Sequence, residues 1–145
     1  MHLGEERYME HCELSRAEQA RRRMIAEETR QMLLQEMEIE TADEMSLMTQ
    51  YRGYYLQISF SGLHPLMVLC LAKKLCEPGT LQKIQIANEL NLKSILGTHA
   101  LNDAIGCYTY RATQWLDAKP DIRRFFEILD RCVEEADRGF RSLTE

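Results

Sequence analysis

From residue 54 to residue 60 the chain alternates, with Tyr54, Leu56, Ile58 and Phe60 on one phase and Tyr55, Gln57 and Ser59 on the other. A period of two marks a strand with one buried side. Residues 45–50 alternate more weakly, and Tyr51-Arg52-Gly53 predicts a tight hairpin between the two runs, with Gly53 supplying a positive φ. Residues 66–72 form an unbroken apolar run between the break at 61–65 and Cys76-Glu77-Pro78-Gly79. Its seven residues suit a third strand, apolar on both sides. Residues 98–101 and 107–113 flank a turn at 102–106 and predict a second hairpin, its returning strand rich in Tyr and Thr.

Three other segments follow the helical period. Ser15-Arg16-Ala17-Glu18 has the form of a capping box, and Ala20, Met24, Ile25, Met32, Leu33 and Met37 continue a broken stripe, which predicts a helix over about 16–37. Thr80 is a suitable N-cap for a second helix to about Ser94, with Leu81, Ile84, Ala87, Leu90 and Asn91 at three-four spacing. Pro120 and Asp121 open the third helix, whose stripe runs from Ile122 through Phe125, Phe126, Leu129 and Val133 to Leu143. Its roughly 24 residues give a rod about 36 Å long that needs an extended apolar support. The order α-βββ-α-ββ-α predicts an α+β fold, a mainly antiparallel five-stranded sheet with helices on one face. Residues 15–145 form the expected single domain, preceded by a flexible tail at 1–14.

The two-sided run is the informative feature. Leu66, Val68, Cys70 and Ala72 point one way, and Met67, Leu69 and Leu71 the other. Helices on one face require only one apolar side per strand. The spare side therefore predicts contact with another chain: a homodimer, or a polypeptide client. The residues expected to bind that partner are Met67, Leu69, Leu71, Tyr55, Tyr108 and Tyr110. The alternative is that the first helix or the N-terminal residues fold across that side.

Residues 84–143 carry a further signal: Asn88 and Asn91 near the end of a helix, Gly97 leading a hairpin, and the paired Phe125-Phe126 on a long terminal helix. This layout resembles the YbjN-like family of bacterial sensory transduction regulators, itself similar in fold to the small acidic chaperones of type III secretion. The resemblance covers about 60 residues; over 16–75 it rests on element order. It implies a chaperone-like fold, and dimers that hold an unfolded segment on apolar sheet and helix surface. Shared fold does not by itself transfer function.

Composition narrows the chemistry. In 145 residues, 45% are apolar and 28% charged, a globular balance that excludes wholesale disorder. Eighteen Lys and Arg against 23 Asp and Glu leave a net charge of -5, which argues against nucleic acid as a partner. Arg21-Arg22-Arg23 fan around a helix instead of forming one basic face, and Glu18, Glu27 and Glu28 neutralise them. The longest apolar run is far short of the ~20 residues of a membrane span, and the acidic N-terminal stretch lacks a signal-like apolar region, so a cytoplasmic protein is expected. Five cysteines without a CxxC spacing read as reduced thiols, with a Cys70–Cys76 pair as the oxidising alternative.

No metal or cofactor is expected: the four histidines show no HExxH or HxH spacing, and no phosphate-cradling or elbow-serine motif occurs. A thiol enzyme pairing Cys107 or Cys132 with His99 is the weaker alternative. The acid-rich face of the terminal helix reads as solvated, laced by i,i+4 ion pairs. A non-enzymatic interaction module, chaperone-like or regulatory, is the leading expectation. The alternative is a small-molecule-sensing domain with a pocket between sheet and helices.

Overall fold

The computed structural model describes residues 15–61 and 64–145. Helix α1 (Arg16–Glu36) starts at Ser15, whose hydroxyl accepts the Glu18 amide at 3.1 Å. The Glu18 carboxylate does not complete the predicted capping box; it pairs with Arg21 and Arg22 at 2.9 and 3.0 Å. Helix α2 (Leu81–Lys93) begins at Thr80, whose Oγ1 accepts from the Lys83 amide. Helix α3 (Ile122–Thr144) is capped by Asp121, which accepts from the amides of Arg123 and Arg124, with Pro120 just outside.

The strands are β1 (Thr41–Ala42), β2 (Ser46–Tyr51), β3 (Tyr54–Phe60), β4 (Leu66–Lys74), β5 (Gly97–Asn102) and β6 (Cys107–Trp115). They form one sheet in the order β1-β2-β3-β4-β6-β5, with every neighbouring pair antiparallel. The expected count of five is corrected to six. The addition is β1, where Thr41 and Ala42 pair with Met48 and Leu47. Two residues are too few to show alternation. The β2–β3 turn places two residues at positive φ, Arg52 at 47° and Gly53 at 87°, as a two-residue hairpin with native twist requires.

Register decides which side of the sheet is covered. Leu56, Ile58 and Phe60 on β3 lie opposite Leu71, Leu69 and Met67 on β4. Leu71 and Leu69 in turn face Tyr110 and Ala112 on β6. All of these side chains are buried, and they pack in one core with Leu33 of α1, Ala87 of α2 and Phe125, Leu129 and Val133 of α3. The three helices therefore lie on this one side, as the element order predicts. Where an inward position is cationic it is held by rings: Lys73 Nζ sits 4.8 Å from the ring centroids of both Tyr54 and Phe140.

Candidate partner-binding surface

The opposite side of the sheet meets no helix among the described residues. Its centre is the other phase of β4, where Leu66, Val68, Cys70 and Ala72 are half-buried. Tyr55 lies beside Ala72 on β3, and Trp115 beside Leu66 at the end of β6; they are 59% and 66% exposed. Met48 and Gln57 continue the row through Cys70 toward β2. Burial in this apolar row raises the Cys70 thiol pKa, against the opposing pull of nearby Arg111. The thiol is thus held in its neutral, weakly nucleophilic form.

The residues predicted to bind a partner do not form one surface. Tyr55 does face outward. Met67, Leu69, Leu71, Tyr108 and Tyr110 are at most 1% exposed and lie beneath the helices, so they cannot touch another chain while the fold is intact. The correction has a simple origin. An apolar-on-both-sides strand announces two buried or sticky faces without saying which one the helices take. The half-buried residues of the other phase, and Trp115 with them, constitute the uncovered surface.

A second apolar surface, missed at the sequence level, lies on α2. Leu81, Ile84, Asn88 and Leu92 fall within about 80° of arc, and Ile95 follows in the loop just past the helix end. Leu81, Ile84, Leu92 and Ile95 are 53–87% exposed. The signal was present: α2 has apolar residues on both faces, Ala87 and Leu90 inward and Leu81, Ile84 and Leu92 outward, with Ile95 next to its end. Positions 81 and 95, and 84 and 92, are symmetric about Asn88.

The polar interior is organised around α3. Tyr51 donates to Asp130 at 2.5 Å, Tyr54 to Asp137 at 2.7 Å and Tyr110 to Glu135 at 2.7 Å. Burial, together with the adjacent carboxylate, pushes the Tyr51 hydroxyl up to about 12 and raises Tyr54 and Tyr110 as well. The acids of α3 are thus partly ties to the sheet. Among the described residues no ion pair joins two residues of α3, which corrects the expectation of a wholly solvated, i,i+4-laced face.

Glu135 is the hub. Its Oε1 accepts from the Ser94 hydroxyl at 3.0 Å and from the amides of Leu96 and Gly97, and its Oε2 accepts from the Ile95 amide. Burial opposes its charge, yet these donors win and hold its pKa down to about 2. Because Ser94 donates its proton to Glu135, its oxygen accepts from His99 Nε2 at 2.9 Å, and His99 Nδ1 accepts from the Tyr108 hydroxyl at 2.5 Å. Burial lowers the His99 pKa, so the ring is neutral near pH 7.

The serine in this chain donates away from the imidazole, the reverse of an activated nucleophile. Cys132 is buried on α3, with its thiol pushed up to about 11 by burial. Neither arrangement supplies a reactive thiolate or alkoxide. Cys70, Cys76, Cys107 and Cys132 are free, while Cys12 lies outside the described residues. Among the described residues no group of three or more His, Cys, Asp or Glu side chains could hold a metal ion, and no helix is long and apolar enough to cross a membrane. A cleft of about 550 Å³ opens between α2 and α3, with Ser94 and His99 among its lining and Lys93, Arg138 and Arg141 around it.

An α+β fold with an antiparallel sheet and three helices is shared with type III secretion chaperone complexes of known structure, from which the element order here differs slightly. The chain superposes with a TM-score of 0.59 on a chain of the HopA1–SchA chaperone–effector complex, covering 88% of this chain and 98% of that one at 13% identity. With YbjN from E. coli the TM-score is 0.58, at 12% identity over 81% of this chain and 87% of that one. With the heterodimeric ExoU–SpcU complex of the Pseudomonas aeruginosa type III secretion system it is 0.52, at 21% identity over 77% and 93%. No protein-family model matches the chain, nor does any curated protein sequence. The YbjN-like resemblance read from residues 84–143 therefore stands as a shared fold.

Proposed function

We propose that the chain is a non-enzymatic, chaperone-like module that holds a polypeptide partner on the uncovered side of its sheet and pairs with a second copy through α2. One observation carries the first part: the apolar strip of Leu66, Val68, Cys70 and Ala72, flanked by Tyr55 and Trp115, is buried by no helix of the described chain. Contiguous exposed apolar surface of this kind marks an interaction site. The fold shared with a chain of a chaperone–effector complex and with a chain of a heterodimeric type III secretion complex supports the same reading.

The α2 line supports the second part. A two-fold interface must be complementary to itself. Two α2 helices crossing antiparallel would set Leu81 against the partner's Ile95, Ile84 against Leu92, and Asn88 against its own copy on the axis. Light scattering tests the pairing: the wild-type chain is expected to have twice the monomer mass, and Leu92→Glu the monomer mass. A monomeric wild type rejects it.

Replacing Val68 with Asp tests the partner surface. Binding to a peptide array is expected to be lost while the melting temperature stays within about 3 °C, because the substituted side chain points away from the core. Unchanged binding rejects the reading. A second reading follows from the cleft between α2 and α3, whose lining sets three cations, Lys93, Arg138 and Arg141, against the carboxylates of Glu135 and Glu145 and so leaves a net positive charge for a small anionic metabolite. A rise in melting temperature with such a compound, abolished by Arg138→Ala, would favour it.

A further inference from the structure

We propose that the uncovered sheet face takes an acidic, apolar stretch of polypeptide, and that Arg111 is the residue that selects it. The inference rests on reading this face as a partner surface and adds what the partner must look like. Among the described residues the strands contain no Asp or Glu, although the chain has 23. On the outward phase the strands carry two cations, Lys74 and Arg111. In a protein of net charge -5, the described strands thus place two cations and no carboxylate on this side.

Arg111 sits at the middle of β6. Its cross-strand neighbours are Cys70 on β4 and Thr98 on β5, and neither is an anion. The residue is exposed, and among the described residues its guanidinium makes no hydrogen bond or ion pair. A planar fork of donors at the border of an apolar strip is suited to a carboxylate held at two points. Covering Arg111 with a neutral or basic chain would strip its water without replacement, which is costly. An acidic side chain supplies the replacement, so the same residue attracts one class of partner and rejects another.

The charge pattern also separates the competing occupants. A second copy meeting this face on a two-fold would bring like cations together, whereas the α2 line carries no such conflict. Nucleic acid, equally anionic, lacks the apolar side chains that the β4 strip would cover, and two cations are a small footprint for a phosphate backbone. An extended segment crossing six strands at ~4.8 Å spacing spans about 24 Å, or seven to eight residues.

The test uses two fluorescein-labelled peptides of about twelve residues, long enough to cross the sheet. Both share one Val/Leu/Tyr alternation; one has Glu at the polar positions and the other Lys. Fluorescence anisotropy near physiological salt is expected to show the Glu peptide binding about tenfold tighter to the wild-type chain. Arg111→Gln should erase the preference and Arg111→Glu should reverse it, with Val68→Asp weakening both peptides and melting temperatures unchanged throughout. Equal binding of the two peptides, tighter binding of the Lys peptide by the wild-type chain, or a ratio that Arg111→Glu leaves unmoved overturns the inference and leaves the partner surface standing. If neither peptide binds and Val68→Asp changes nothing, the partner surface itself fails, and the inference with it.

Discussion

Glu135 shows how one side chain can set both local shape and acid response. Its carboxylate closes the 94–97 loop onto α3, with three backbone amides, Ser94 and Tyr110 all donating to it. Its pKa in the fold, about 2, is below the ordinary 4.5, so the unfolded chain takes up the proton first. Its stabilising contribution is therefore complete above pH 4.5 and drains away as the pH falls from there toward 2. His99 acts in the same direction at higher pH: burial lowers its pKa below 6.5, and below that value the unfolded chain is the better base. Urea midpoints measured from pH 7 down to pH 3 should fall in two stages. Glu135→Gln should cost about 2 kcal/mol at pH 7 and flatten the lower stage. An unflattened lower stage would assign the acid lability to other groups.

Gly139 is a second residue whose behaviour runs against general expectation. Glycine within a helix normally costs about 1 kcal/mol relative to alanine, so its replacement would ordinarily stabilise α3. Here an added Cβ would meet the His99 ring and lie 2.7 Å from the Tyr108 hydroxyl. Gly139→Ala should therefore destabilise the fold by roughly 1–3 kcal/mol, as overpacking does. A gain in the urea midpoint would show that the ring can move aside.

Among the elements, those with strong periodicity were legible in the sequence. The α3 stripe, the Thr80 cap, the β3 alternation and the β2–β3 turn all lie where the residues place them. Strand β1 was not legible, because two residues carry no period. The side of the sheet that the helices take was missed for a different reason. In β4 both phases are apolar, and only the β3 register, which pairs Leu56 with Leu71 and Ile58 with Leu69, selects the inner one. The α3 acids Asp130, Glu135 and Asp137 looked solvated because helical spacing says nothing about tyrosines arriving from the sheet.

Strand β5 has a protected edge that helical periodicity also hides. Asn91 of α2 accepts from the His99 amide at 2.6 Å and donates to its carbonyl at 2.9 Å, as a neighbouring strand would. Asn91→Ala would leave both backbone groups unpaired where they are partly buried. It should cost about 1–3 kcal/mol and increase concentration-dependent aggregation. Static light scattering during heating would register it, and an unchanged aggregation onset would deny the edge role.

For the whole molecule, the arrangement separates a rigid side from an available one. Side chains under the helices are locked by packing and by tyrosine–carboxylate ties, while the outward phase of the strands has no helix packed on it among the described residues. Met67→Asp and Val68→Asp, one residue apart, should thus differ sharply. The first should prevent folding, and the second should leave the circular dichroism spectrum and melting temperature near those of the wild type. Equal damage from both would mean that the outward side is covered after all.

Asn91 carries a last consequence. With one rim of the layer occupied by an amide and the other reduced to Thr41 and Ala42, the ribbon has little room to lengthen sideways. Growth into a fibre by lateral stacking of strands is therefore discouraged.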